Sequence, residues 1–389
     1  MVIGNGFRIG GHIANERKKS LPIWIGCVTG WFATHCGSGF ATGVQAAEYF
    51  TKFGAIGLVT PFLSMGILGV MAYIAVEFCR RSNTHNYKEF AYKFYAPFGS
   101  IFGIIWDLIS VIGTALITGA VLAGGGELLS EVFGVPYLIA LAIIAGIILI
   151  CTSLGVEFFR NISTLLTIPI VICLTCISVY GIAKGWGNLS KVVGNWEIQG
   201  SIGGAILDSL KYAGVQCTFI GVLAASSLGI ASKRDSIKIS VGGALMNALM
   251  LGLVSILLLA YFPGSSHENL PILSILKNAE VPFLSIMYQI TLFCAMISTG
   301  VGLIFSIVTR LEGVRMGKSM KRFSHRRRRI LWAFMFLLIA YGISVLGLRN
   351  IVGGGYRFLA ALKIPVVMIP VLLLGPWRLR QTRTGTEKN

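Results

Sequence analysis

Three groups of residues sit inside long apolar stretches, where polar chemistry is costly. The first is Thr34-His35-Cys36-Gly37-Ser38-Gly39, in the middle of an apolar span from about Leu21 to Phe53. Glycine costs about 1 kcal/mol against alanine in a helix interior. In hydrocarbon, a freed backbone group costs several kcal/mol more unless protein, water or ligand satisfies it. The spacing therefore predicts a discontinuous helix whose open backbone binds something. Carbonyls near Ala33 and Cys36 are free to coordinate a cation. A second half-helix starts near Phe40, and its unpaired N–H groups and positive dipole end favour an anion such as a carboxylate. The second group, Tyr212-Ala213-Gly214-Val215-Gln216-Cys217-Thr218, interrupts a later span that continues from Phe219 to Leu228. Its carbonyls from Ala213 to Gln216 are candidates to accept from an ammonium. The third group is Ala295-Met296-Ile297-Ser298-Thr299. Spacing i, i+3, i+4 puts one carbonyl and two hydroxyls on one helix face, a set of hard oxygens, although such hydroxyls also bond back to their own helix.

Charges inside apolar spans mark function by default. Asp107 falls in the inner part of the third span and Lys363 near the middle of the last. Their depths differ by about 5 Å at ~1.5 Å rise per residue, so they are expected to pair, if their helices are neighbours, as a structural, gating or coupling contact. Glu48, Asp208, Lys211 and Arg357 are expected to line an outer vestibule, with Glu48 and Arg357 as a candidate gate. Glu77 is placed to pair with Arg80 or Arg81.

Composition dictates the elements that carry these residues. The chain of 389 residues is 55% hydrophobic and 12% charged, half the charge of a soluble domain at about 25%. Apolar runs of about 20 residues, enough to cross ~30 Å of hydrocarbon, recur at about 21–50, 54–79, 98–124, 135–153, 162–183, 203–229, 236–262, 281–309, 329–348 and 352–375. Tyr87–Phe94 reads as an amphipathic helix, Lys184–Gly200 as an interfacial segment, and Pro271–Asn278 as a short re-entrant or interfacial helix. The net charge of +18 is concentrated in alternate loops, densest from Arg310 to Arg329. That is the positive-inside pattern rather than a nucleic-acid surface, and it places both termini in the cytoplasm of a plasma membrane, as in a bacterial inner membrane. No cleavable signal peptide is expected. All eight cysteines lie in or beside apolar spans, so no disulfide or zinc site is expected. No P-loop or hydrolytic motif is present, so neither an enzyme nor an ATP-driven pump is expected.

The interrupted spans are the first and sixth. A spacing of five spans inverts the second copy across the membrane, and paired interruptions of this kind mark a midplane binding site. The expected architecture is all-α: one transmembrane domain over 1–389, with inverted repeats at about 21–183 and 203–375 and a tail at 376–389. In these respects the chain resembles the leucine-transporter (LeuT) fold of the amino acid–polyamine–cation superfamily, and more narrowly the YkvI-like amino-acid permeases. In that fold the first helix carries Gly-x-Gly at its break, matched here by Gly37-Ser38-Gly39. The resemblance implies a substrate site at His35, Cys36, Ser38, Gly39, Ala213, Gln216, Cys217 and Phe219. It also implies a sodium site formed by Ala33, Cys36, Ala295, Ser298 and Thr299. The implied activity is sodium-coupled symport of a small amino acid or related amine, a small-molecule partner reached from within membrane lipid. Span 5 has Thr164, Thr167 and Thr175 but none of the lysines of proton-coupled relatives. Proton coupling through His35 or Asp107, and a non-transporting receptor or permeation subunit, stay open as alternatives.

Overall fold

A computed structural model of the chain describes residues 22–35, 37–84, 87–154, 156–279, 281–312 and 324–386. Every named element is helical, and Gly54 with Ile198 forms an isolated antiparallel bridge. The first apolar stretch is divided into α1 (Ile23–His35), the single turn α2 (Ser38–Ala41) and α3 (Val44–Tyr49). Next come α4 (Thr60–Ser82), α5 (Tyr87–Phe94), α6 (Gly99–Phe133), α7 (Tyr137–Leu154) and α8 (Val156–Lys184). α9 (Trp186–Gly194) is bent by 76° from the helix before it. α10 (Ile202–Gln216) runs through a 3-10 turn at Cys217–Phe219 into α11 (Ile220–Ser226), followed by α12 (Lys233–Leu259), α13 (Pro271–Asn278), α14 (Pro282–Glu312) and α15 (His325–Ser344). The last run contains α16 (Leu348–Asn350), α17 (Tyr356–Lys363) and α18 (Ile369–Thr386), joined by π turns at Ile351–Gly355 and Ile364–Met368.

Among the described residues, five helices are long and apolar enough to cross a membrane, within 55–82, 99–133, 233–259, 282–308 and 348–382. The other expected spans are shorter, bent or divided. The first is broken, the sixth carries a 3-10 turn, and α15 begins with His325 and four arginines. Large apolar side chains such as Ile104, Leu108, Phe133, Phe283, Ile290 and Leu338 are exposed on the bundle surface. A chain with this surface is an integral membrane protein, since only hydrocarbon accommodates it without cost.

The helices pack in two groups. α1, α4, α10, α11 and α12 pack on one another, and α6, α7, α14 and α15 pack on one another. α17 lies along α10, and α18 along α4. Serines fix three starts: the hydroxyls of Ser201, Ser232 and Ser324 accept from the amides of Gly204, Asp235 and Arg327. Gly43 holds φ +86°, a left-handed value that admits glycine without strain. There the chain kinks between α2 and α3, and Ile272 of α13 closes over the kink, its amide donating to Thr42 O at 3.3 Å. The amphipathic α5 buries Phe90 and Phe94 against α6 and α11. The π turns fall where Gly353-Gly354-Gly355 and Pro365 weaken the ordinary ladder. The seven cysteines described are free thiols.

Candidate functional site

The first break is an open one. α1 ends at His35, and among the described residues no backbone amide outside the helix donates to the carbonyls of its last turn, Ala33 among them. Cys36 lies outside the described residues, as does the side chain of Ser38. The segment after the break is fragmented: Gly37 O accepts from the amides of both Phe40 and Ala41, and α2 stops after one turn. The expected dipole of a long second half-helix is therefore reduced to a single turn.

Aromatic rings surround the break. Trp31 Nε1 donates to His35 Nδ1 at 3.1 Å. An imidazole that accepts at Nδ1 carries its proton at Nε2, and His35 Nε2 is buried without a partner among the described residues. The Trp31 ring stacks on Phe219 at 4.4 Å and lies against Gly243 of α12, where an added Cβ would come within 2.1 Å of it. The His35 ring lies 6.3 Å from Tyr212 and 6.5 Å from Phe219.

The second interruption is milder than its composition suggests. Gln216, Cys217, Phe219 and Ile220 keep right-handed helical dihedrals, and only the turn Cys217–Phe219 tightens to 3-10. Its acceptors are taken internally. Cys217 Sγ donates to Gly214 O at 3.1 Å, and Lys363 Nζ reaches across from α17 to Val215 O at 2.7 Å and Thr218 Oγ1 at 3.2 Å. Ala213 is fully buried, and Gln216 Nε2 donates to the Tyr212 hydroxyl at 3.5 Å.

This overturns the expected Asp107–Lys363 pair. Asp107 is bound at the α5 end instead, by the Tyr87 hydroxyl and by Lys88 Nζ at 3.5 Å. Depth along the helices was compatible with pairing. The direction of each side chain around its helix is not: Lys363 runs past Gly113 of α6 into the α10–α11 turn.

α14 brings the third group to the first break. Tyr288 donates to Ala41 O at 2.7 Å, and Thr299 Cγ2 lies 3.9 Å from where a Cβ on Gly37 would stand. Ala295 is buried and Ser298 and Thr299 are partly exposed on this face. Thr114, Thr118, Thr152, Thr175 and Thr291 each donate back to the carbonyl four residues earlier. Thr299 makes no such bond among the described residues, so its hydroxyl remains available to a ligand.

Ion clusters hold both ends. At one, Glu48 meets Arg349 at 2.8 Å and Arg357 at 3.8 Å, while Asp208 meets Lys52 at 2.6 Å, Lys211 at 3.0 Å and Arg357 at 3.1 Å. Arg357 thus bridges two carboxylates. About 25 Å along α4 at ~1.5 Å per residue, Glu77 is fully buried and accepts from Arg80, Arg81 and the Ser236 hydroxyl. Lys52 and Arg349 were legible only as isolated charges in sparsely charged loops. Trp31 carried no signal beyond its position one turn before His35.

No family model matches the chain. The chain is 24% identical over 317 residues to the uncharacterized membrane protein YkvI of Bacillus subtilis (strain 168), covering 78% of this chain and 85% of that protein. Among solved structures, MhsT in complex with L-phenylalanine aligns with TM-score 0.60 and 13% identity over 92% of this chain and 98% of that one. The substrate-bound outward-open state of a Na+-coupled sialic acid symporter aligns with TM-score 0.57 and 15% identity, over 89% and 79%. The fold is that of LeuT-type transporters.

Proposed function

We propose that this protein is a sodium-coupled symporter of a small amino-acid-like solute, working by alternating access. The carrying observation is the α14 face at the first break: Thr299 faces Gly37, its hydroxyl has no helix partner among the described residues, and α1 ends two residues before Gly37. Together these supply hard oxygens for a monovalent cation. Similarity to a Na+-coupled symporter of the same fold supports the reading. So does the packing in two groups, since alternating access needs one group to rock against the other. The reading includes ten spans as two inverted repeats, with the basic loops and both termini cytoplasmic.

Coupling follows from shared structure. Sodium and solute both stabilise the conformation of the α1–α2 break, so each raises the affinity of the other by the same factor. The charge cluster at Glu48, Asp208 and Arg357 is the outer gate, and the Glu77 knot the inner latch. No carboxylate pairs with His35 among the described residues, which suits a hydrogen-bonding group at the solute better than a coupling cation. The test is uptake into proteoliposomes by the double variant Ser298→Ala, Thr299→Ala. Sodium-dependent uptake is lost; unchanged uptake with unchanged sodium dependence removes this site.

A further inference from the structure

Two buried donors stand open around the α10–α11 turn. His35 is 3% exposed, and its Nε2 has no partner among the described residues. Lys363 is 2% exposed, near the middle of a helix that spans the bilayer, and no carboxylate lies within ion-pair distance of it among the described residues. An ammonium has three donors. Two are used on Val215 O and Thr218 Oγ1, and one remains. Two backbone acceptors of the turn already take a side-chain donor: Val215 O from Lys363 and Gly214 O from Cys217.

A cation buried without a counter-charge is destabilising by several kcal/mol, and a bound anion removes that cost. Lys363 also lies beside α6, with Cε 3.9 Å from a Cβ built on Gly113. Its head group therefore stands between the turn and a helix of the other packing group, not at the lipid surface.

Resting on the symporter reading above, we propose that Lys363 is a tethered ammonium that makes the central site an anion site. The solute is a small carboxylate without a free amino group. Lys363 supplies the positive charge that an amino acid would bring with it, and His35 Nε2–H is a second donor to the solute. A zwitterion is disfavoured because its ammonium meets Lys363 and finds Val215 O already bonded.

The experiment compares matched pairs on the purified wild-type protein in sodium: pyruvate with L-alanine, 4-methyl-2-oxopentanoate with L-leucine, phenylpyruvate with L-phenylalanine. Thermal shift gives affinity, because stabilisation grows with ligand concentration over Kd. At least one oxo acid binds ten-fold or more tighter than its amino acid, and only with sodium present. Lys363→Met loses that oxo acid by about 100-fold, the effect of removing a buried charge pair, and Lys363→Arg keeps it. If Lys363→Met does not fold, the wild-type preference and Lys363→Arg still decide. Sodium-dependent binding of an amino acid as tight as its oxo acid overturns the role of Lys363 and leaves the symporter reading standing. No sodium-dependent response to any acid of either class overturns both.

Discussion

Replacing Glu77 by glutamine tests the latch at the end of the bundle opposite Glu48. The carboxylate is fully buried and takes four bonds: Arg80 Nε at 2.9 Å, Arg80 Nη2 at 2.7 Å, Arg81 Nε at 2.7 Å and Ser236 Oγ at 2.9 Å. Arg81 Nη1 continues to Leu379 O at 2.7 Å, so the knot joins α4, α12 and α18. Glutamine keeps the shape but removes the charge and turns an amide N–H toward a guanidinium. Breaking a buried pair costs about 3–5 kcal/mol. Arg80 and Arg81 keep 24% and 17% of their side-chain surface exposed and can partly re-solvate, so the lower figure applies. About 3 kcal/mol corresponds to roughly 100-fold in the population of a state with this end open, at 1.4 kcal/mol per decade. Cys79, two residues away and 3% exposed, is a built-in reporter. Its maleimide labelling, followed by peptide mass spectrometry, accelerates by about two decades in Glu77→Gln. Wild-type labelling rate together with a wild-type melting temperature would show that the knot holds nothing closed.

Three further outcomes follow from particular contacts. Gly243→Ala, whose new Cβ falls 2.1 Å from Trp31 Cε3, destabilises by about 1–3 kcal/mol and changes tryptophan fluorescence as the Trp31–Phe219 stack opens; Gly242→Ala, with its nearest contact at 3.4 Å, changes neither. Asp208→Asn leaves Lys52, Lys211 and Arg357 short of a carboxylate. Hydrogen exchange in α10 and α17 then accelerates, and the difference from wild type shrinks with added salt because the cluster is partly solvated; no change in exchange would remove the gate. Lys277→Ala, which breaks an exposed pair with Glu131, shifts stability by less than about 0.5 kcal/mol in a thermal melt.

What was legible in the sequence was what depends on local order. The break at Thr34–Gly39 was visible because glycine and polar groups are costly in hydrocarbon. The bounds of α5 and α13 were visible because their apolar spacing and flanking residues lie in one short window. Glu77 with Arg80 and Arg81 was visible because i, i+3 and i, i+4 neighbours share a helix face. The Glu48–Arg357–Asp208 grouping followed from depth alone, since all three had to lie near one membrane surface. Depth failed for Asp107 and Lys363, where the direction of each side chain around its helix decides the partner. The composition of Tyr212–Thr218 overstated the second break, because a 3-10 turn satisfies most of the backbone that an open loop would expose. The π turns before and after α17 were hidden for a related reason. An i→i+5 bond adds one residue without changing the apolar pattern enough to show.

Those two π turns isolate α17 as an eight-residue rod, and the rod carries Arg357 near one end and Lys363 at the other. The two cations are six residues apart, about 9 Å along the axis. Tightening either π turn to an ordinary one removes a residue from the register and swings the whole rod by roughly 100° at 3.6 residues per turn. Arg357 cannot leave its carboxylates by such a turn without carrying Lys363 off Val215 and Thr218. The segment is a crankshaft: the ion pairs of Arg357 and the bonds of Lys363 are set by one rotation.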